Sequence, residues 1–549
     1  MDTKTFDYII VGAGSAGCVL AGRLTEDPGC QVLILEAGGK DTDPLIHIPL
    51  GMAKMYEYKL HDWRYMSEPI PGLNNRMLNV KRGKVLGGSS SINVMAYTRG
   101  NPGDYDRWSQ NGASGWSFAE VLPYFKRCES WQNGGTDWRG GDGPLGTEYG
   151  KTQDPLYEAW LEAAAQAGWP VTEDYNGPKI GFGRSQYTMK NGKRCSSAVA
   201  FLHPAMKRLN LTVETRALSS KIVMEGNRAV GVEYLQGGQT HRANASAEVI
   251  LSGGVINSPH LLMLSGIGPA GHLREFGIDV ILDLPVGKNL QDHLATSLMW
   301  SRPENTSLFR DQMRFDRMAV SMVRAYLFGT GPGTVVPGGM HAFIKTQEGL
   351  GAPDIEFMFR GLPLDAHMWF PGIKKQYEDG YGIRPALLHP KSRGEIKLRS
   401  TDPREHARIF FNFLSHPDDL PALRNGFKIG RDVGNQSAMD RFRGDEVMPG
   451  PSVQTDDEID EFLRNTITTV EHPIGTCPMG NGPEAVLNSE MKVRGAEGLR
   501  VVDGSAMPDL VSAHTNACIL MMGEKASDMI RGLQPLPASN LVAQSADAA

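Results

Sequence analysis

The stretch FDYIIVGAGSAG at residues 6–17 decides the fold. Its apolar, β-branched run from Phe6 to Val11 predicts a buried strand that ends in a GxGxxG turn. Residues Ala16 to Leu24 have apolar positions at helical spacing, and Gln31 to Leu35 form a second strand-like run. Strand, turn, helix and strand make one βαβ unit, the context in which GxGxxG indicates dinucleotide binding.

The turn and the second strand supply candidate cofactor contacts. The first glycine permits the tight turn, the second lets the backbone approach a pyrophosphate, and the third lets the helix pack on the strand. The helix N-terminus faces the phosphate charge. Glu36 lies 19 residues after the last glycine, where its carboxylate can bind ribose hydroxyls. FAD and NAD share this fingerprint, which predicts contacts from Gly12, Gly14, Ser15, Ala16, Gly17, Glu36 and Ala37.

Composition limits the class of protein. The chain has 549 residues and a net charge of −6, so it is long enough for two domains and lacks the basic surface that nucleic acid requires. Its first apolar run is too short for a signal peptide or membrane span, which predicts a cytoplasmic protein. The six cysteines are scattered without a CxxC pair, so neither a metal site nor a disulfide framework is expected.

The nucleotide-binding domain is predicted to be discontinuous. Short strands recur between Leu211 and Ser252, and the strand Leu499 to Val502 precedes a helix from Asn516 to Arg531. Between them, alternating runs such as Gly394 to Leu398 predict an antiparallel sheet with helices. The predicted fold class is α/β (α+β overall). A Rossmann-like domain comprises residues 1–155, 200–297 and 465–535, a substrate-binding domain comprises 156–199 and 298–464, and 536–549 form a disordered tail.

Longer motifs carry a family resemblance. Residues Gly83 to Asp106 resemble the first signature of the glucose-methanol-choline (GMC) oxidoreductases, and Ser258 to Gly268 resemble the second. His472 to Gly480 and Val502 to Pro508 are similar to the family's C-terminal motifs. The resemblance extends from about residue 6 to residue 531 and is weakest between about 301 and 385. It implies an FAD-binding fold and the oxidation of an alcohol.

The resemblance also implies further FAD contacts. The Gly-Gly-Ser-Ser-Ser loop at residues 87–91 offers backbone N–H groups and hydroxyls to a pyrophosphate, a ribityl chain and a flavin edge. Ile92 stands where some family members attach FAD through a histidine, so the FAD is predicted to be non-covalent. The contacts implied are Trp63, Val85, Gly88, Asn93, Val94, Met95, Ala96, Ser219, Asp503 and Gly504.

Two histidines are the candidate catalytic residues. Alcohol oxidation by a flavin needs a base for the hydroxyl proton, and the pKa of histidine suits this task. The resemblance makes His472 the general base and His514 a hydrogen-bond partner of the substrate oxygen, although which ring carries the proton stays open. Thr515 and Asn516 begin a helix whose positive end would stabilise the reduced flavin.

The predicted function is FAD-dependent oxidation of a primary alcohol or sugar, with electrons passed to a quinone-type acceptor or O2. Local sequence, such as Pro44 to Pro49 and His389 to Gly394, most resembles the bacterial sorbose and primary-alcohol dehydrogenases. The alternatives are an FAD-containing hydroxynitrile lyase, an NAD-dependent dehydrogenase and a flavin-binding protein without activity. The substrate, the acceptor, peripheral membrane association, and a monomeric or small homo-oligomeric state stay open.

Overall fold

The described residues form many short strands and helices. The computed structural model describes residues 4–151, 153–303 and 307–541. In chain order the strands are β1 (Thr5–Val11), β2 (Val32–Glu36), β3 (Tyr65–Met66), β4 (Asn79–Val80), β5 (Glu129–Trp131), β6 (Leu145–Tyr149), β7 (Phe182–Arg184), β8 (Gln186–Tyr187), β9 (Met189–Lys190), β10 (Lys193–Arg194), β11 (Leu211–Thr215), β12 (Leu218–Glu225), β13 (Arg228–Gln236), β14 (Gln239–Leu251), β15 (Leu294–Ala295), β16 (Leu298–Ser301), β17 (Met340–Ile344), β18 (Ile355–Arg360), β19 (Gly380–Leu387), β20 (Glu395–Lys397), β21 (Arg408–Phe410), β22 (Glu446–Met448), β23 (Thr468–Thr469) and β24 (Leu499–Val501).

The helices lie between these strands and cover the sheets. They are α1 (Ser15–Leu24), α2 (Pro44–His47), α3 (Met52–Tyr58), α4 (Pro102–Gln110), α5 (Phe118–Cys128), α6 (Leu156–Gln166), α7 (His203–Ala205), α8 (Gly254–Leu264), α9 (Ala270–Glu275), α10 (Leu308–Gln312), α11 (Phe315–Phe328), α12 (Asp419–Gly434), α13 (Asp456–Thr466) and α14 (Thr515–Ile530). Among the residues that the structure describes, no helix is both long enough and apolar enough to cross a membrane.

The first sheet contains the predicted βαβ unit. Its strand order is β11-β2-β1-β14-β13-β12, and β24 also pairs with β14. The central pairs β1–β2, β1–β14 and β2–β11 are parallel, and every residue of β2 is buried. This is the arrangement that a continuous apolar run predicts, because a central parallel strand is covered on both faces.

The glycine turn after β1 is sterically required. Gly12 has a φ of +100°, and a Cβ there would lie 2.4 Å from the carbonyl oxygen of Ser252. A Cβ on Gly17 would lie 2.0 Å from the carbonyl oxygen of Gly12. A larger residue at position 17 would separate α1 from the turn after β1, and one at position 12 would push this turn away from the end of β14.

The second sheet forms the antiparallel layer that the sequence predicts. Its order is β22-β16-β19-β18-β17-β7, with β15 paired to both β19 and β23. The short strands β15 and β23 were predicted to lie in the nucleotide-binding domain, yet they belong to this sheet. Residues Gly394 to Leu398 do not join it either, because β20 pairs with β21 as a separate ribbon. A strand of only two residues is too short to show an alternating pattern in the sequence.

The C-terminal segment is more ordered than predicted. Over residues 536–541, the N–H of Leu536 donates to the Tyr124 hydroxyl at 3.1 Å, and the N–H of Ser539 donates to the Ala119 carbonyl at 2.8 Å. Leu536 and Leu541 also pack against the core. These contacts hold the segment on α5, while residues 542–549 of the predicted tail lie outside the described residues.

Candidate active site

Two adjoining cavities lie where the two sheets meet. The first, about 160 Å³, lies over the carboxyl ends of β1 and β2. The second, about 550 Å³, lies between the start of α14 and the strands of the second sheet. Ser15, Ser89 and Thr515 line both cavities, so they form neighbouring parts of one cleft. A crevice at the carboxyl ends of parallel strands is the usual ligand site of such a sheet.

Most of the predicted cofactor residues line this cleft. Those on the first cavity are Gly12, Gly14, Ser15, Ala16, Glu36, Ala37, Trp63, Gly88, Ser219, Asp503, Gly504 and Thr515. Those on the second are Ser15, Asn93, Val94, Ala96, Thr515 and Asn516, together with both candidate catalytic histidines, His472 and His514. The fold therefore gathers residues from both ends of the chain around one cleft.

Three predicted cofactor residues lie elsewhere. Gly17 supports the turn beneath α1, as described above. Val85 is buried in a small apolar cluster with Ile46 and Ile92. Met95 has a φ of +65°, and its side chain packs with Tyr187, Met189 and Val336 instead of lining either cavity. The backbone of residues 93–96 turns sharply at Met95, which sends this side chain into the core.

Glu36, the predicted ribose ligand, is held by two backbone N–H groups. Its carboxylate accepts the Ala13 N–H at 2.9 Å and the Gly38 N–H at 2.7 Å, which fixes it on the wall of the first cavity. Burial raises the pKa of this carboxyl to about 7. Two carboxylate oxygens offer about four acceptor positions, so capacity remains for the hydroxyls of a ribose.

The rest of the first cavity fits a dinucleotide as well. Ser219 lines it with a buried hydroxyl oxygen that has no hydrogen-bond partner among the described residues. A Cβ on Gly88 would lie 2.7 Å from the Cα of Gly14, so the two glycine loops touch through bare backbone. Asp503 accepts the Gly254 N–H at 2.8 Å and holds a third backbone segment at the same place. Approachable backbone, an unpartnered hydroxyl and a fixed carboxylate together match the polar groups of FAD.

The two catalytic candidates face each other across the second cavity. The ring centroids of His472 and His514 are 4.6 Å apart. The backbone N–H of His472 donates to Asp292 Oδ1 at 2.9 Å, and the backbone N–H of His514 donates to Thr98 Oγ1 at 2.6 Å. Each histidine loop is thus fixed by a buried acceptor from a different part of the chain.

His472 is bonded to a second histidine. Its Nδ1 lies 3.0 Å from Nδ1 of His293, and the two rings are nearly perpendicular. This contact leaves Nε2 as the ring nitrogen of His472 without a protein partner among the described residues. Burial and the imidazoles of His514 and His293 lower the pKa of His472 well below its ordinary value. The ring is therefore neutral near pH 7, as a general base must be.

His514 is held by a buried carboxylate. Its Nε2 lies 2.8 Å from Glu356 Oε1, and Nδ1 of His341 lies 2.8 Å from the same oxygen. Burial opposes ionisation of Glu356, but the imidazoles of His514 and His341 hold the pKa of this carboxyl well below its usual range. The carboxylate therefore orients His514 and leaves its Nδ1 for the cavity. The separations between these groups are hydrogen-bond lengths, although histidine and glutamate side chains so placed can also bind a metal.

The sequence pattern did not reveal His293, Glu356, His341 and Asp292. Glu356 lies within the apolar run Ile355 to Phe359, and a charged residue in a buried strand is a signal that could have been used. His341 interrupts β17 in the same way. Nothing local to His293 predicts its contact with His472.

Comparison with known proteins identifies the family of this chain. The N-terminal profile of the GMC oxidoreductase family matches residues 6–295, and the C-terminal profile matches residues 390–523. The chain belongs to the GMC oxidoreductases. It is therefore an FAD-dependent oxidoreductase that acts on CH–OH donors, as the two signature motifs predicted.

Relatives of this GMC oxidoreductase extend over the full chain. It is 45% identical over 538 residues to the oxygen-dependent choline dehydrogenase of Brucella ovis, covering 97% of both chains. It is 43% identical over 547 residues to the mitochondrial choline dehydrogenase of Mus musculus, covering 98% of this chain and 91% of the relative. A formate oxidase from Aspergillus oryzae, studied for its FAD modification, matches with a TM-score of 0.89 and 26% identity over 97% of this chain and 99% of that one. The local resemblance to sorbose dehydrogenases is thus secondary to these full-length matches.

Proposed function

We propose that this GMC oxidoreductase oxidises a primary alcohol to the aldehyde, with choline as the first candidate substrate. The observation that carries the proposal is the pair His472 and His514, each with a ring nitrogen free on the second cavity beside the predicted FAD site. A hydroxyl placed between the rings could be deprotonated by one and held by the other. When bound, FAD supplies the hydride acceptor.

FAD would be held along the cleft by the residues that line it. Gly12, Gly14 and Gly88 leave their backbone open to a pyrophosphate, while Glu36 binds ribose hydroxyls. Asn93, Val94 and Ala96 border the flavin end, where the N-terminus of α14 also points. Ile92 lines the second cavity without a nucleophilic atom, which supports non-covalent attachment.

The histidines would have separate roles. His472 takes the hydroxyl proton on Nε2 while its Nδ1 hydrogen is donated to His293. His514, oriented by Glu356, hydrogen-bonds the substrate oxygen. The low pKa of His472 keeps the base form populated as pH falls below the ordinary histidine value, so the acid limb of kcat/KM is expected below pH 6.5.

Choline is favoured by the relatives named above, which are choline dehydrogenases. A second candidate, an uncharged primary alcohol, is favoured by the lining of the second cavity. Arg76, Lys81, Arg82 and Arg384 contribute basic side chains there, whereas Glu471 contributes a carboxylate that is already paired with Lys81 at 3.2 Å. A mostly basic lining opposes a quaternary ammonium group.

One comparison separates these substrates. Purified protein would be mixed without oxygen with choline or with its uncharged carbon isostere, 3,3-dimethylbutan-1-ol, and bleaching of the flavin absorbance would be followed. We expect choline to bleach the flavin with the higher kcat/KM. Faster bleaching by the isostere would select the second candidate, and a His472→Ala variant should slow bleaching by about a thousandfold. If no primary alcohol bleaches a flavin-loaded protein, the proposed function is wrong.

Measurements on the same purified protein identify the electron acceptor and test the alternative functions. Reoxidation by air would identify an oxidase, and reoxidation only by a quinone dye would identify a dehydrogenase. Release of the flavin by acid precipitation tests non-covalent binding. Cyanide release from a hydroxynitrile without bleaching would favour the lyase alternative.

A further inference from the structure

Helix α11 exposes an apolar face that no described part of the chain covers. It packs inward through Met318 and Ala325, the latter resting against the turn at Gly333. The opposite side carries large apolar residues, of which Val320 is 69% and Phe328 is 72% exposed. The other exposed members are Phe315, Val323, Tyr326 and Leu327. An exposed stripe of this size is unusual on a monomer and marks an interaction site.

Two neighbouring segments extend this face. The N–H of Phe315 donates to the Trp369 carbonyl at 2.8 Å, which attaches the loop at residues 371–375 to the start of α11. At the tip of that loop Ile373 is 84% exposed and is followed by Lys374 and Lys375. Helix α3 lies on the same side of the molecule, because Met52 at its start packs against the apolar cluster that contains Val336, three residues after the Gly333 turn on which Ala325 rests. Residues 52–59, 308–328 and 371–375 are called the docking face below.

The charges of the docking face are mainly basic. Its three segments contain eight Lys and Arg residues against three Asp and Glu residues, in a chain whose net charge is −6. Basic side chains with long apolar stems can lie along an apolar face and extend their charges to its rim. Apolar residues rimmed by Lys and Arg are the pattern of helices that lie in the surface of an anionic bilayer.

We infer that the docking face binds the surface of an anionic lipid bilayer, with α11 lying in the plane of the membrane. Phe315, Val320, Val323, Leu327 and Ile373 would enter the acyl boundary. The basic residues would contact the phosphate groups of the lipids. With 14 residues, α11 is about 21 Å long, which suits a helix on the surface.

The docking face also borders the active site. Tyr56 of α3 lines the second cavity, and so does Met77, which is itself exposed. Lys81 places its ammonium 5.4 Å from the Tyr56 ring. Membrane binding would therefore hold the substrate cavity close to the lipid, where a lipid-soluble quinone could reach it. This last consequence rests on the proposed function, whereas membrane binding itself does not.

Vesicle flotation tests the inference without measuring activity. Flavin-loaded wild-type protein would be floated with vesicles of phosphatidylcholine and phosphatidylglycerol in equal parts, and with vesicles of phosphatidylcholine alone. We expect binding to the mixed vesicles that weakens with salt. The variants Ile373→Glu and Val323→Glu/Leu327→Glu should bind at least tenfold more weakly, and Lys374→Gln/Lys375→Gln should lose the preference for anionic lipid. Leu209→Glu is the matched control, because Leu209 is 103% exposed but lies beside β11, outside the docking face.

Flavin content and alcohol turnover in free solution should be unchanged in all four variants, which would show that they fold. Wild-type protein that floats with neither vesicle overturns the inference, as do apolar variants that float like wild type. Sedimentation velocity adds a further outcome. If wild type is an oligomer that the α11 variants dissociate, and it binds no vesicles, a second copy covers the face and the inference is wrong.

Discussion

At the residue scale, the catalytic pair depends on which ring nitrogens carry hydrogen. For His472 to act as a base through Nε2, its Nδ1 hydrogen must be donated to His293 Nδ1, 3.0 Å away. Burial holds the pKa of His293 to about 3, so this ring is neutral near pH 7 and can accept a hydrogen bond. This hydrogen bond would fix which ring nitrogen of His472 carries hydrogen, so we predict that His293 is a positioning residue.

The variants His293→Leu and His293→Asn test this role. Leucine fills the space without an acceptor, so we expect kcat to fall by about tenfold to a hundredfold with little change in KM. Because the His293 imidazole itself lowers the pKa of His472, its removal should raise that pKa and move the acid limb of kcat/KM to higher pH. Asparagine places Oδ1 near the position of Nδ1 and should restore most of the rate. If both variants are equally slow and neither moves the pH profile, His293 only fills space.

At the element scale, the cofactor cleft depends on loops that meet through bare backbone. Gly88 begins the 3-10 turn Gly88–Ser91 with a φ of +53°, and it sits directly against Gly14 of the turn before α1. Neither loop could approach the other with a side chain between them. Each glycine-rich motif is therefore predicted to supply part of the wall for one pyrophosphate.

The Gly88→Ala variant should bind little flavin. A Cβ at 2.7 Å from the Gly14 Cα must push the two loops apart, and the positive φ adds about 1–2 kcal/mol of strain. We expect the ratio of flavin absorbance to protein to fall at least tenfold, while the far-UV circular dichroism is retained. Gly226→Ala is the control, because Gly226 has a φ of +61° and a Cβ there would meet no described atom within 4 Å. If the Gly88→Ala variant keeps as much flavin as Gly226→Ala, the contact between the two loops is not needed for cofactor binding.

At the scale of the whole molecule, distant parts of the chain are joined by a buried ion cluster. Glu524 on α14 is fully buried and accepts from Arg23 of α1 at 2.8 Å and from Arg127 of α5 at 2.8 Å. Asp528, one turn later, accepts from Arg127 as well. The cluster fixes α14, whose first turn lines the second cavity, against the nucleotide-binding βαβ unit.

The substitution Glu524→Gln should therefore be strongly destabilising. It leaves Arg23 with only Glu26 and Arg127 with only Asp528, and loss of the buried carboxylate between them costs about 3 kcal/mol. We expect a clearly lower Tm of the flavin-loaded enzyme. Asp418→Asn removes the exposed partner of Lys391 and should change stability by less than about 1 kcal/mol. A Tm shift no larger than that of the control would contradict a stabilising role for the cluster.

Short contiguous motifs were enough to predict several features of this protein. The turn at residues 12–17, Glu36 and the loop at residues 87–91 were predicted because steric and hydrogen-bonding demands act within a few residues. His472 and His514 were predicted from their motifs, and the first sheet from apolar periodicity. The roles assigned to these residues stay predictions.

The groups that surround the two candidate catalytic histidines come from distant parts of the chain and could not be predicted from local sequence. His293 and His472 are 179 residues apart in sequence, and Glu356 and His514 are 158 apart. Their contacts arise because β15 and β23, each two residues long, join the second sheet, and because β18 brings Glu356 to the junction between the sheets. Local periodicity reports which face of an element is buried, but the partner across that face is set by how the two sheets pack.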